Sequence, residues 1–376
     1  MKVTIIGAGP AGLAAAGALK QKGIPSTVLE QGDQVGTSWR GHYERLHLHT
    51  VRRLSGLPGF PIPAEMGKWV ARGDLVRYLE DYTRRFDLEV RTGIEVQSIE
   101  RDERGWLVRT ASGDHAADRV VMATGYNRTP ILPEWPGMDH FEIELIHSAE
   151  YRNAAPYRDR KVLVVGSGNS GAEIAVDLVE GGAKEVTVSI RTPPNIQRRE
   201  FLGIATQQVG IIAEKLPVKV ADRISLALQK VAIGDLRRYG LGPPTRGALS
   251  RIYEDAQIPL IDVGFLDALK QRRLTVVPAV EGFAPRSVRL ADGHHVEVDA
   301  VIAATGYSRG LEPLVGHLGV LNADGTPEPS GGAVSRKAPD LYFIGYRNAP
   351  GGLLRRIRIE AEEMADAVEK TAGAAV

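Results

Sequence analysis

Short runs of consecutive apolar residues, each followed by a glycine-rich turn and a segment of small residues, recur along this chain. Residues 3–6 lead into Gly7-Ala8-Gly9-Pro10-Ala11-Gly12, and residues 162–165 lead into Gly166-Ser167-Gly168-Asn169-Ser170-Gly171. Apolar runs of that length bounded by turn residues predict buried strands, and the small-residue segments beyond them predict helices lying close on those strands. Residues 185–190 and 341–344 read as further strands, and a helix is predicted from about Leu353. Residues 94–99, 106–110 and 119–123 predict a three-strand meander, with turns at Arg104-Gly105 and Ser112-Gly113. Residues 287–290 and 296–298 predict a hairpin around Asp292-Gly293, leading into a strand that ends at Ala304.

One stretch fits neither repeat. Ile204, Val209, Ile212, Leu216, Val220, Ile224, Leu228, Val231 and Leu236 follow helical spacing and predict two amphipathic helices around Pro217. A lid, the wall of a substrate passage, and plain packing on the second repeat all stay open for it.

The chemistry lies in the turns. In G-x-G-x-x-G between a strand and a helix, the first glycine permits the tight turn, the second admits a pyrophosphate to the backbone, and the third lets helix and strand touch. The pyrophosphate then meets free helix N–H groups. Each turn has a later companion, Ala123-Thr124-Gly125-Tyr126 for the first and Ala304-Thr305-Gly306-Tyr307 for the second. The copies differ at the end of their second strand. Glu30 suits a ribose hydroxyl, whereas Ser189 followed by Arg191 and Thr192 suits a 2′-phosphate. NADPH is therefore expected on the second copy, and FAD or NAD on the first. A chain holding both kinds of site is expected to pass hydride to flavin.

The expected fold class is α/β, three-layered, with two Rossmann-like dinucleotide-binding domains. The expected order is 1–155 for the first part of an FAD domain, 156–308 for an inserted NADPH domain with a helical insertion at about 201–240, and 309–376 for the rest of the FAD domain.

Composition removes several alternatives. The 376 residues include no cysteine, which excludes dithiol relays, cysteine nucleophiles and thiolate metal sites. A net charge of +1 without a long basic run argues against a nucleic-acid partner. Apolar runs are too short to span a membrane, and with the first strand beginning near Met1 a cytoplasmic enzyme is expected. His47 and His49 form an HxH pair, but no third ligand accompanies them and nearby arginines oppose a cation, so no metal is expected.

These residues resemble the flavin-containing monooxygenases, class B flavoprotein monooxygenases, and within them the YUCCA-type members and bacterial relatives. Phe141, His147, Ser148 and Tyr151 match the family fingerprint, with Ile143 where glycine is usual. Trp39-Arg40, residues 43–49, Pro58, Pro61-Ile62-Pro63, residues 188–191, 259–264 and 341–345 are also similar. The resemblance implies that NADPH reduces FAD and that O2 forms a flavin C4a-(hydro)peroxide. That species oxygenates a small organic substrate: an amine or sulfur, or an aryl 2-oxo acid lost as CO2 and an arylacetate. The cofactors carry the hard chemistry, which accounts for the absence of an obvious catalytic triad. Alignment of the loop before Pro58 puts His49 where many members have an asparagine beside the flavin, so His49 is the candidate catalytic residue, with a supporting role as its alternative. Trp39 is expected on the flavin side, with plain core as its alternative, and Gly345 just after the late strand is expected at the cofactor. The competing activity is an NADPH-dependent flavin reductase serving a quinone or protein acceptor. The expected partners are a small substrate and O2, and homodimerisation is open.

Overall fold

The computed structural model describes residues 1–103 and 105–373, so the expected turn residue Arg104 lies outside the described residues. The chain forms two compact units. One comprises Met1–Arg40, Thr50–Thr129 and Tyr307–Val376, and the other Gly41–His49 and Pro130–Gly306.

The first unit is built on a five-stranded parallel sheet in the order Leu341–Phe343, Arg119–Met122, Val3–Ile6, Ser26–Leu29, Glu89–Arg91. Val3–Ile6 is central and wholly buried, Thr4 included, as befits a mainly apolar strand in a sheet covered on both faces. The following helix, Pro10–Gln21, opens with proline in its first turn, where a missing N–H costs nothing, and buries ten residues from Pro10 to Leu19.

The second unit repeats the plan. Its parallel sheet runs Thr275–Val277, Glu185–Ser189, Lys161–Val165, Ala300–Ala303, Glu144–His147. The helix Asn169–Glu180 follows the central strand. Each unit also carries a three-stranded antiparallel sheet, Val96–Asp102 with Gly105–Thr110 and His115–Ala117 in the first, and Val280–Ala284 with Ser287–Leu290 and His295–Glu297 in the second. The expected hairpin is thus the end of a three-strand meander.

Four expectations change. The meander's third strand is His115–Ala117, whereas Arg119–Met122 lies parallel beside Val3–Ile6. One short stretch, interrupted by Asp118 and Arg119, supplies strands to both sheets, which residue spacing does not reveal. The expected boundary at 155–156 differs from the observed change of unit at 129–130, because Glu144–His147 is the edge strand paired with Ala300–Ala303. Residues 41–49 belong to the second unit, with Tyr43 in its core. Helices do form around Pro217, Thr206–Ala213 and Val218–Ile233, but Val209, Ile212, Leu216, Val220, Ile224, Leu228 and Val231 are exposed. The longer helix is tied down through polar groups instead. Asp222 accepts from the Leu249 N–H at 2.9 Å, and Gln229 from the Ile196 N–H at 3.0 Å.

Candidate active site

The two glycine turns are geometric copies. Gly7 has φ +103° and a Cβ there would lie 2.7 Å from the Ala123 carbonyl oxygen; Gly166 has φ +128° and a Cβ would lie 2.3 Å from that of Ala304. Each first glycine is therefore wedged against the end of the neighbouring strand in a conformation that L side chains avoid. Gly12 and Gly171, the third glycines, each back onto the carbonyl of the first. The middle glycines, Gly9 and Gly168, are N-caps of their helices and have no atom within 4 Å of an added Cβ. That clear space at a helix N-terminus is what a pyrophosphate requires. Gly125 and Gly306, with φ +94° and +91°, are likewise open on their Cβ side.

Glu30 follows the second strand and is only 6% exposed. Its Oε2 accepts the Ala8 N–H at 2.7 Å, and its Oε1 accepts the Gly32 N–H at 2.9 Å and the Thr37 hydroxyl at 3.0 Å. A carboxylate has about four acceptor positions, so about one remains for a ribose hydroxyl. In the second unit Ser189 is buried with its hydroxyl on the Pro278 carbonyl at 2.8 Å, while Arg191 and Thr192 are exposed just beyond the strand. Arg191 has no ion pair among the described residues, leaving its guanidinium available to a phosphate.

Around the first turn, Thr124 N–H and Oγ1 both meet the Tyr346 hydroxyl, at 2.9 and 2.7 Å. Burial pushes the Tyr346 phenol up to about 12, so it stays a neutral hydrogen-bonding group. Gly345 has φ +85°, and a Cβ there would touch the Ala11 Cβ at 3.0 Å, which sets the late strand against the first turn. Its N–H donates to Glu360 Oε2 at 2.9 Å. Trp39 is half-buried in the short helix Thr37–Gly41. Around the second turn, Asn169 joins the helix start to the segment before Leu260–Asp262, donating to the Pro259 carbonyl at 3.2 Å and accepting the Ile261 N–H at 2.7 Å. Ser170 follows it half-buried, and Thr305 donates its hydroxyl to the Ile131 carbonyl.

His147 ends the edge strand of the second sheet. Its Nδ1 accepts the Ala149 N–H and its Nε2 meets the Gly306 carbonyl, each at 3.1 Å, so the neutral Nε2–H form satisfies both. Burial pulls its pKa below the ordinary histidine value. It is an orienting residue within the second unit.

His49 is also in the second unit, not the first. The stretch before it is strapped down by Tyr43 in the core, by Glu44 N–H on the Arg152 carbonyl at 2.8 Å, and by an Arg45–Glu180 ion pair. His49 Nε2 lies 2.9 Å from Glu173 Oε1, off the line of a ring N–H hydrogen bond, and the contact is an ion pair only when the imidazole is protonated. Sequence reading did not single out Glu173. Its signal is an acid one helical turn after Asn169 on a helix of small apolar residues. No group of three or more metal-ligating side chains occurs among the described residues.

Two parallel sheets, each with a helix-capping glycine open on its Cβ side, suit a protein of two dinucleotides, and comparison with known proteins gives the family. Residues 4–204 match the pyridine nucleotide-disulphide oxidoreductase family. The chain is 36% identical over 308 residues to an indole-3-pyruvate monooxygenase of Oryza sativa subsp. japonica, YUCCA1, covering 81% of this chain and 76% of that one. It is 32% identical over 358 residues to the probable indole-3-pyruvate monooxygenase YUCCA3 of Arabidopsis thaliana, covering 91% and 81%. In structure it resembles a flavin-containing monooxygenase from Stenotrophomonas maltophilia, with a TM-score of 0.73, 25% identity and coverage of 99% and 98%. A cyclohexanone monooxygenase shares the fold at a TM-score of 0.76 and 20% identity, covering 100% of this chain and 88% of that one. The chain belongs to the class B flavoprotein monooxygenases. It is a flavin-dependent monooxygenase that uses FAD and NADPH and acts on a small molecule with O2, which favours this activity over the reductase alternative.

Proposed function

We propose that this enzyme oxygenates an aryl 2-oxo acid of the indole-3-pyruvate type. The 2-oxo acid, O2, NADPH and a proton yield the arylacetic acid, CO2, water and NADP+. The observation that carries this reading is 36% identity, across four fifths of the chain, to a relative named for that substrate.

In this reading FAD occupies the first unit and NADPH the second. Gly7, Gly9 and Gly12 admit the flavin nucleotide's pyrophosphate, Glu30 takes its ribose, and Trp39, Thr124, Gly125 and Gly345 flank it. Gly166, Gly168, Asn169, Ser170 and Gly171 admit the nicotinamide nucleotide's pyrophosphate, with Thr305 and Gly306 alongside and Arg191 and Thr192 on the 2′-phosphate. The clearings at Gly9 and Gly168, the acceptor position left on the Glu30 carboxylate and the Arg191 guanidinium, without an ion pair among the described residues, support this division. Together the two cofactors supply hydride and activated oxygen. The chain supplies rigid amide cradles and His49 as the proton-holding group. The domain assignment follows: an FAD domain in two parts around an NADPH domain. A cytoplasmic location and a homodimer are proposals of the same reading, checked by cell fractionation and light scattering.

The test is turnover of indole-3-pyruvate with NADPH under 18O2. One labelled oxygen in the arylacetate and one CO2 per product support the reading. Unlabelled product, or turnover only with amines and sulfides, overturns the substrate assignment.

A further inference from the structure

Asn169, Glu173 and Asp177 recur every four residues on the Asn169–Glu180 helix and so share one face. Each holds a different part of the second unit. Asn169 grips Pro259 and Ile261, Glu173 meets His49, and Asp177 accepts the Tyr151 hydroxyl at 2.6 Å. The duplicated helix of the first unit has Pro10, Ala14 and Ala18 at the corresponding places, all buried. The same helix position in the first unit thus carries no carboxylate.

Burying a carboxylate costs several kcal/mol unless other charges and hydrogen bonds offset it. Glu173 is 3% exposed. The His49 ring lies 2.9 Å from it, and the half-buried Arg199 guanidinium lies within electrostatic range. Two buried polar atoms at this pair, Glu173 Oε1 and His49 Nδ1, make no hydrogen bond with the protein. Such atoms call for a partner the chain does not supply.

We propose that Glu173 is a positioning residue for His49. It holds the imidazole on the second unit, one helical turn from the dinucleotide turn, and leaves Nδ1 as the ring nitrogen free to meet the bound ligand. In that placement a proton can pass between Nδ1 and a ligand oxygen while Nε2 stays beside the Glu173 carboxyl group. This deepens the proposed function and rests on its assignment of His49.

The test uses FAD-loaded protein carrying 15N-histidine, with His49→Ala identifying the His49 signals among the nine histidines. Glu173→Gln is expected to move the His49 ring resonances, leave those of the other histidines and the flavin content unchanged, and raise the share of NADPH electrons lost as hydrogen peroxide about three- to tenfold. Glu173→Asp, which keeps the charge, restores coupling in part. In a His49→Ala background Glu173→Gln adds nothing further. Unmoved His49 resonances, or a coupling loss that adds in full to that of His49→Ala, overturns the proposal. If His49→Ala leaves coupling intact, the role of His49 in oxygen transfer fails instead, and the ring resonances still decide whether Glu173 positions it.

Discussion

Gly12 stands against the Gly7 carbonyl so closely that a Cβ would fall 1.8 Å from the oxygen, and Gly171 stands to Gly166 in the same way at 2.3 Å. The obstacle is backbone, which cannot swing aside as a flexible side chain would. Gly12→Ala must therefore move the helix off the strand. It is expected to cost about 1–3 kcal/mol and to lower flavin retention, read by thermal unfolding and by flavin absorbance per polypeptide.

Gly9 separates binding from folding. A Cβ there would meet no protein atom within 4 Å, and in the proposed assignment a larger side chain takes the space of the pyrophosphate. Gly9→Val is expected to unfold like the parent apoprotein but purify without flavin. A fully yellow variant would count against the first turn as the FAD site.

Arg191 is expected to discriminate between nicotinamide nucleotides, because only NADPH has the 2′-phosphate. Loss of charge-assisted hydrogen bonds worth about 1.5–3 kcal/mol predicts that Arg191→Ala raises KM for NADPH about ten- to hundredfold. KM for NADH should be unchanged. Equal losses with both nucleotides would remove Arg191 from the phosphate site.

His147 links stability to pH. Burial lowers its folded-state pKa from the ordinary 6.5, so between the folded value and 6.5 the unfolded chain binds more protons than the folded one. Stability falls as pH drops through that window, and protonating Nδ1 also ends the Ala149 contact. His147→Gln should flatten this part of a melting temperature against pH curve. An unchanged slope would assign the effect to another group.

Val231, 86% exposed, lies on the apolar stripe of a helix that its pattern predicts to be packed. Val231→Asp is expected to change stability by no more than about 0.5 kcal/mol, as at other exposed sites, measured by chemical unfolding. A loss of several kcal/mol would mean that this face is covered in solution.

The glycine turns, their flanking strands and helices, and the acidic or basic residue ending each second strand were all legible in the chain. Each depends on a constraint acting within a few residues: a left-handed φ at Gly7 and Gly166, a close helix approach at Gly12 and Gly171, a carboxylate beside a turn. Four features depended on partners distant in sequence. Glu144–His147 became a strand because Ala300–Ala303 offered it an edge. Arg119–Met122 left its meander to lie beside Val3–Ile6. The stretch through His49 joined the second unit because Tyr43, Arg45 and His49 found the core, Glu180 and Glu173 there. The helices around Pro217 turned their apolar stripe outward because Asp222 and Gln229 anchored the polar side. Periodicity records which residues share a face, but only the packed structure determines what that face meets.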